Sequence, residues 1–99
     1  MSILDGNIDK VRELCRIHKV IYLFAFGSVL TEKFRSDSDI DFIVDFSDVT
    51  LFEYAENYFN FKYSLENLLK RNVDLLEEKA IRNPYLRKSI DVSKKLIYG

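Results

Sequence analysis

The stretch "FAFGSVLTEKFRSDSDIDFIVDF", Phe24 to Phe46, decides the fold because two apolar runs flank a turn and a pair of aspartates. The first run begins at Val20 and is continuous and rich in strand-forming residues, which predicts a buried strand that ends at Gly27 and Ser28. The second run alternates, so its side chains divide between two faces. One face carries Ile40, Phe42, Val44 and Phe46, and the other carries Asp39, Asp41, Ile43 and Asp45. The pattern predicts a second strand that opens with two carboxylates on one side.

The segments around these two strands predict an α-β-β-α-β-α-β order. A long helix, capped by Thr50 and running to about Lys70, separates the second strand from a third. Strands joined through a helix pair in parallel with a right-handed crossover. The expected fold is therefore α+β, with a small mixed sheet of about four strands and helices packed mainly on one face. The remaining predicted elements are a helix over about 7–18, a strand over 72–77, a helix from Asn83-Pro84 to about Ser93, and an edge strand over 95–98.

Composition indicates an ordinary globular protein. The chain has 99 residues, which predicts a single domain over residues 1–99. The net charge of −1 gives no indication of nucleic acid or of a membrane surface as partner. The sole cysteine, Cys15, forms no internal disulfide, which fits a reducing compartment. With no signal-like segment and no apolar run near the roughly 20 residues that cross a bilayer, we expect a soluble, cytoplasmic protein.

The two carboxylates of the second strand predict a metal site. Asp39 and Asp41 are two residues apart, so both point to the same side of a strand. Like charges this close are unfavourable unless a cation lies between them or one carboxyl is protonated. Mg²⁺ is bound by carboxylates, water and substrate phosphate oxygens. If the second and third strands are neighbours, Asp74 joins the pair and completes a three-carboxylate site.

The Gly-Ser pair at the end of the first strand predicts a phosphate site. Gly27 lets the backbone approach a phosphate closely, and the Ser28 hydroxyl and the N–H groups after it can hold phosphate oxygens. A nucleotide tail held there would lie beside metals held by the acidic strand. Two such metals can activate an attacking hydroxyl and stabilise a leaving pyrophosphate.

These residues resemble a known family. The segment "GSVLTEKFRSDSDID" matches G-S-x10-D-x-D, the signature of the DNA polymerase β-like nucleotidyltransferase superfamily. With the short chain and the later "NVDLLEEKAIRNPYLRKSI", the sequence resembles the minimal nucleotidyltransferase group of MntA-like antitoxins from about Val20 to Tyr98. The resemblance implies the nucleotidyltransferase fold. It also implies two Mg²⁺ ions bound by Asp39, Asp41 and Asp74, and a triphosphate bound by Gly27 and Ser28.

The resemblance also implies an activity and a partner. Such an enzyme moves a nucleoside monophosphate, here AMP from ATP or another NTP, to an acceptor hydroxyl. The implied acceptor is a helical HEPN-type toxin, with this chain as the antitoxin of the pair. Many members of the resembled family carry an Arg and a small residue directly after the Gly-Ser and a further Gly in the loop, whereas this chain has Val29, Leu30 and Glu32 there. Lys33 and Arg35 can supply cations there instead.

Two other functions remain open from the sequence. The chain can be a non-catalytic antitoxin that neutralises its partner by occupying it, or a regulator that binds NTP without transfer. The aromatic residues of the long helix spread around its axis, which indicates either a wide core face with some exposed tyrosines or an interface for a HEPN partner or a homodimer. These residues are Phe52, Tyr54, Tyr58, Phe59, Phe61 and Tyr63.

Overall fold

The computed structural model describes residues 2–99, and its elements follow the predicted order apart from one additional short helix at the start. The helices are α1 (Ser2–Asp5), α2 (Ile8–Ile17), α3 (Leu51–Leu69) and α4 (Pro84–Ser93). The strands are β1 (Val20–Phe26), β2 (Ile40–Phe46), β3 (Val73–Glu77) and β4 (Lys95–Tyr98). Single 3₁₀ turns cover Gly27–Leu30 and Glu78–Ala80. No helix within residues 2–99 combines the length and apolarity needed to cross a membrane.

The four strands form one mixed sheet in the order β3-β2-β1-β4. β1 is antiparallel to both β2 and β4, whereas β2 and β3 are parallel. The prediction of a small mixed sheet is confirmed, and so is the parallel pairing of the two strands that α3 connects. This pairing brings the acidic segment of β2 beside β3.

The main core lies between one face of the sheet and helices α2 and α3. Phe42 of β2 and Phe61 and Leu65 of α3 are fully buried in it. The opposite face is covered more sparsely by α4: Ile43 and Ile90 are buried outside the main core. Two of the three long helices therefore share one face, as predicted, and part of the other face stays open around the aspartates.

The helix ends follow the predicted capping chemistry. The Thr50 hydroxyl accepts a hydrogen bond from the Glu53 N–H at 3.3 Å. The Asn83 side chain accepts from the backbone N–H of Tyr85 at 2.9 Å, and Pro84 occupies the first turn of α4. Both caps satisfy N–H groups that have no partner within the helix.

Two details differ from the sequence-based expectations. The short helix α1 has no counterpart among the predicted elements, because four residues are too few to show helical periodicity. Asp39, which was expected on the second strand, lies immediately before it, since β2 begins at Ile40.

Candidate active site

Asp41 lies between the Gly27 turn and Asp74. Its Cα pairs with that of Phe26 in β1 on one side and with that of Asp74 in β3 on the other. Paired residues of neighbouring strands project to the same face of a sheet. Because Phe42, next along β2, points into the main core, Asp41 and Asp74 project from the opposite, more open face.

Asp39 occupies an exposed position at the edge of this arrangement. The chain just after it is held in place by a hydrogen bond from the Ile40 N–H to the Asn72 carbonyl oxygen at 3.0 Å. Within residues 2–99, no three side chains of the His, Cys, Asp and Glu type form a ready-made metal-ligand set. The structure thus brings Asp41 and Asp74 together directly and places Asp39 at their margin.

The electrostatics of Asp41 reflect its neighbours. Burial raises the pKa of its carboxyl above the ordinary value, and the negative charges of Asp74 and Asp39 raise it further. A carboxylate in this environment is stabilised by a bound cation or by a proton. Asp39 and Asp74 therefore both raise the pKa of Asp41, although only Asp74 pairs with it in the sheet.

Gly27 makes the closest approach to Asp41. Its φ of +77° lies in the left-handed region that glycine adopts readily. A Cβ atom built at this position would lie 2.4 Å from the Asp41 Oδ2 atom. Only glycine therefore fits at position 27 without displacing the Asp41 carboxylate. The backbone of the turn lies close to the aspartates as a result.

The packing of the residues after Gly27 explains why an apolar side chain follows the Gly-Ser pair in this chain. Ser28 is half-buried, and its carbonyl oxygen accepts from the Thr31 N–H at 2.9 Å, which closes the turn. Val29 is only 2% exposed and packs in the main core. An apolar residue at position 29 anchors the turn to the core. Lys33 and Arg35 remain exposed in the loop that follows.

Comparison with known proteins decides the family. Residues 8–97 match the model of the nucleotidyltransferase domain. The chain belongs to the nucleotidyltransferase family. A protein of Methanocaldococcus jannaschii, provisionally named a protein adenylyltransferase, is 33% identical over 100 residues, which cover 93% of this chain and 97% of that protein. The resemblance expected from the G-S-x10-D-x-D motif is confirmed.

Solved structures with the same fold agree. One, provisionally described as a minimal nucleotidyltransferase, has a TM-score of 0.76 and 29% identity, and the match covers 93% of this chain and 90% of that one. Another is an MNT antitoxin in complex with the tri-AMPylated HEPN toxin of Shewanella oneidensis. Its TM-score is 0.66 at 21% identity, over 96% of this chain and 71% of that one, so it shows the shared fold alone. The predicted nucleotidyltransferase fold is thus confirmed.

Arg71 is a residue of this nucleotidyltransferase that sequence reasoning missed. Its Nη1 atom donates to the backbone carbonyl oxygens of Arg35 at 2.8 Å and Ser38 at 3.2 Å. Its guanidinium lies 4.7 Å from the centre of the Phe34 ring. Arg71 therefore ties the loop that carries Asp39 to the start of β3. The sequence signal was only an arginine shortly before a strand, which does not reveal contacts this distant along the chain.

We predict that Arg71→Ala lowers nucleotidyl transfer about tenfold and the free energy of unfolding by about 1–2 kcal/mol, because two hydrogen bonds from a charged donor are lost. Transfer kinetics and urea denaturation measure the two effects. The matched control is Arg82→Ala, at an exposed position after β3. Equal effects of the two substitutions would contradict a role of Arg71 in holding the Asp39 loop.

Proposed function

We propose that this nucleotidyltransferase moves AMP from ATP to a hydroxyl of a protein acceptor and requires Mg²⁺ for this reaction. The proposed acceptor is a HEPN-type helical protein, which the enzyme silences as its antitoxin. The observation that carries this proposal is the contact between the glycine turn and Asp41, with Asp74 as the next residue across the sheet. The name of the M. jannaschii relative supports adenylyl transfer to a protein. The complex with the AMPylated HEPN toxin supports the choice of partner.

The side chains present fit a pair of divalent cations. Mg²⁺ sites in enzymes commonly use one or two carboxylates and complete their coordination with water and substrate phosphates. Asp41 and Asp74 supply neighbouring carboxylates, and Asp39 supplies a third at the open margin. Burial raises the pKa of Asp41, and the repulsion from Asp74 and Asp39 that raises it further is what a cation would relieve.

Each residue has a defined role in this proposal. Asp39 and Asp41 would hold both cations, while Asp74 would hold the catalytic cation and help to deprotonate the acceptor. Gly27 admits the β- and γ-phosphates close to the backbone, and the Ser28 hydroxyl donates to them. When bound, the cations supply charge neutralisation for the triphosphate and for the attacking oxygen.

The proposed reaction is one in-line displacement. The acceptor hydroxyl oxygen forms a bond to the α-phosphorus of ATP, and the bond from that phosphorus to the bridging oxygen of the β-phosphate breaks. Pyrophosphate leaves with the electron pair of the broken bond, and the hydroxyl proton passes towards the Asp74 carboxylate. The product is a phosphodiester that joins AMP to the acceptor.

Label transfer tests this function. The protein is incubated with Mg²⁺, the protein encoded beside it and ATP labelled at either the α- or the γ-phosphate, and the masses of both proteins are then measured. We expect label from α-labelled ATP and a mass increase of one or more AMP units on the partner. Label from γ-labelled ATP, or no adduct on either protein, would contradict adenylyl transfer.

The exposed aromatic side chains of α3 favour a second candidate, a binding module that neutralises its partner by occupying it. Phe61 is fully buried, but Phe52 is 98% exposed and Phe59 is 45% exposed. Apolar side chains exposed along one helix are typical of a protein–protein interface. The double variant Asp39→Asn/Asp41→Asn separates the candidates, because neutralisation that survives this change does not depend on catalysis.

We predict that Phe52→Lys weakens binding of the HEPN-type partner at least about tenfold, since loss of an aromatic anchor residue costs about 1–2 kcal/mol or more. The substitution should leave the fold intact, because Phe52 contributes almost nothing to the core. Titration calorimetry measures the affinity, and size-exclusion chromatography shows whether the residue serves a homodimer instead. Tyr85→Lys, at an 85% exposed position on α4, is the control. Unchanged partner affinity in a folded Phe52→Lys protein would refute the α3 interface.

A further inference from the structure

The outer edge of β3 is covered by side chains from α3 on both sides of Asp74. β3 is an edge strand of the sheet formed by residues 2–99. The Val73 N–H donates to the Glu66 Oε2 atom at 2.9 Å, and the Leu75 carbonyl oxygen accepts from the Tyr58 hydroxyl. Asp74 lies between these two anchored residues. Two polar groups of an otherwise open strand edge are therefore satisfied within the chain.

The connection between α3 and β3 makes this arrangement possible. The chain reverses after Leu69, so β3 runs back beside α3. Glu66, in the last turn of the helix, reaches the start of the strand, and Tyr58, about two turns earlier, reaches farther along it. The two side chains thus contact the strand at positions two residues apart.

Tyr58 is well placed to be a fixed donor. Its ring centre lies 6.4 Å from those of Phe46 and Tyr54 and 5.1 Å from that of Phe59. Burial raises the pKa of its phenol, and the negative charges of Asp74 and Glu77 raise it further, so the hydroxyl keeps its proton. Packing fixes the ring, and the retained proton is available to the Leu75 carbonyl group.

We infer that Tyr58 and Glu66 are positioning residues, which clamp the backbone on either side of Asp74 and so hold its carboxylate beside Asp41. This inference rests on the proposed function, because it assigns a consequence for catalysis to the position of Asp74. An edge strand opens locally more easily than a central one. Displacement of a reacting group by about 1 Å can cost as much as 100-fold in rate. Loss of the clamp should therefore slow the chemical step. The binding of ATP depends instead on the Gly27 turn and β1, which lie on the other side of Asp41.

Steady-state kinetics of transfer to the protein acceptor test the clamp. We expect Tyr58→Phe and Glu66→Ala each to lower kcat about tenfold and to leave KM for ATP within about twofold, which is the pattern for an interaction that matters in the transition state. Glu66→Gln keeps an oxygen acceptor for the Val73 N–H and should restore most of kcat. The matched controls are Tyr85→Phe on α4 and Glu56→Ala on α3, both at exposed positions.

Amide hydrogen exchange supplies a readout that does not depend on activity. The Val73 amide should exchange faster in Glu66→Ala than in the wild type, and Glu66→Gln should restore its protection. Faster exchange with unchanged kcat would overturn the inference and leave the proposed function standing. A uniform fall of kcat, of ATP affinity and of global stability would also overturn it, because it would show a structural role only. A wild type without transfer would overturn the proposed function and the inference together, whatever the exchange data show.

Discussion

Asp41→Asn is expected to lower nucleotidyl transfer at least about 10³-fold, the order of loss typical when one member of a catalytic group is removed. Asp41 is the carboxylate that contacts the Gly27 turn and pairs with Asp74. Its amide replacement has the same shape but lacks the charge that a cation requires. Single-turnover transfer from α-labelled ATP measures the loss.

The same substitution should not destabilise the protein. Burial and the charges of Asp74 and Asp39 raise the folded-state pKa of Asp41 above its unfolded value. Between these two pKa values the folded state binds more protons, so the wild type loses stability as pH rises through this window. Asp41→Asn removes that loss. Its free energy of unfolding relative to wild type should therefore grow with pH across the window, as measured by urea denaturation in EDTA.

The control for the transfer measurement is Asp48→Asn, which makes the same change of charge at an exposed position after β2. It should leave transfer close to wild type. An Asp41→Asn protein that retains transfer within about tenfold of wild type would refute the proposed site, since no other described side chain lies between the glycine turn and Asp74 in the sheet.

Gly27→Ala is expected to have the second largest effect, about a 100-fold loss of transfer. The new methyl group would lie 2.4 Å from the Asp41 Oδ2 atom, so either the turn or the carboxylate must move. The positive φ of +77° adds strain for any residue with a Cβ, and such strain typically costs about 1–3 kcal/mol. Transfer kinetics measure the loss of activity, and thermal denaturation measures the loss of stability.

Gly6→Ala is the control, because Gly6 is exposed in the turn before α2, a segment that supplies none of the proposed site residues. We expect only a small effect from it. The double variant Gly27→Ala/Asp41→Asn adds a further check, since the collision involves the side chain at position 41. If the methyl group acts through Asp41, the second substitution should add little further loss of transfer. Independent, multiplying losses would argue that Gly27 acts elsewhere.

Much of the fold was predictable because the local sequence patterns agree with the strands and helices that form. The continuous apolar run of β1 and the alternation of β2 predicted both strands, and Thr50 and Asn83 marked two helix starts correctly. The sequence left open whether β2 and β3 are neighbours, although the helix that joins them favoured parallel pairing. The structure pairs them and brings Asp41 beside Asp74. These features depend on periodicity, on capping and on connectivity, all of which can be read from one sequence.

The rest depends on contacts between distant segments. The hydrogen bonds from Arg71 to the Asp39 loop join residues more than thirty positions apart, and no local pattern identifies them. Val29 departs from the pattern expected for a phosphate-binding loop, and in three dimensions it belongs to the core. The position of Asp39 likewise depends on where β2 starts, which periodicity locates only to within a residue or two.

The crossover from β2 through α3 to β3 has a consequence for how the protein folds into its active form. Gly27, Asp41 and Asp74 come from three segments, and Asp41 meets Asp74 only after the whole intervening helix has docked. Non-local pairing of this kind forms late and slowly compared with local structure. A nascent or partly folded chain therefore holds its acidic residues apart, and competence for catalysis arises only with completion of the native topology.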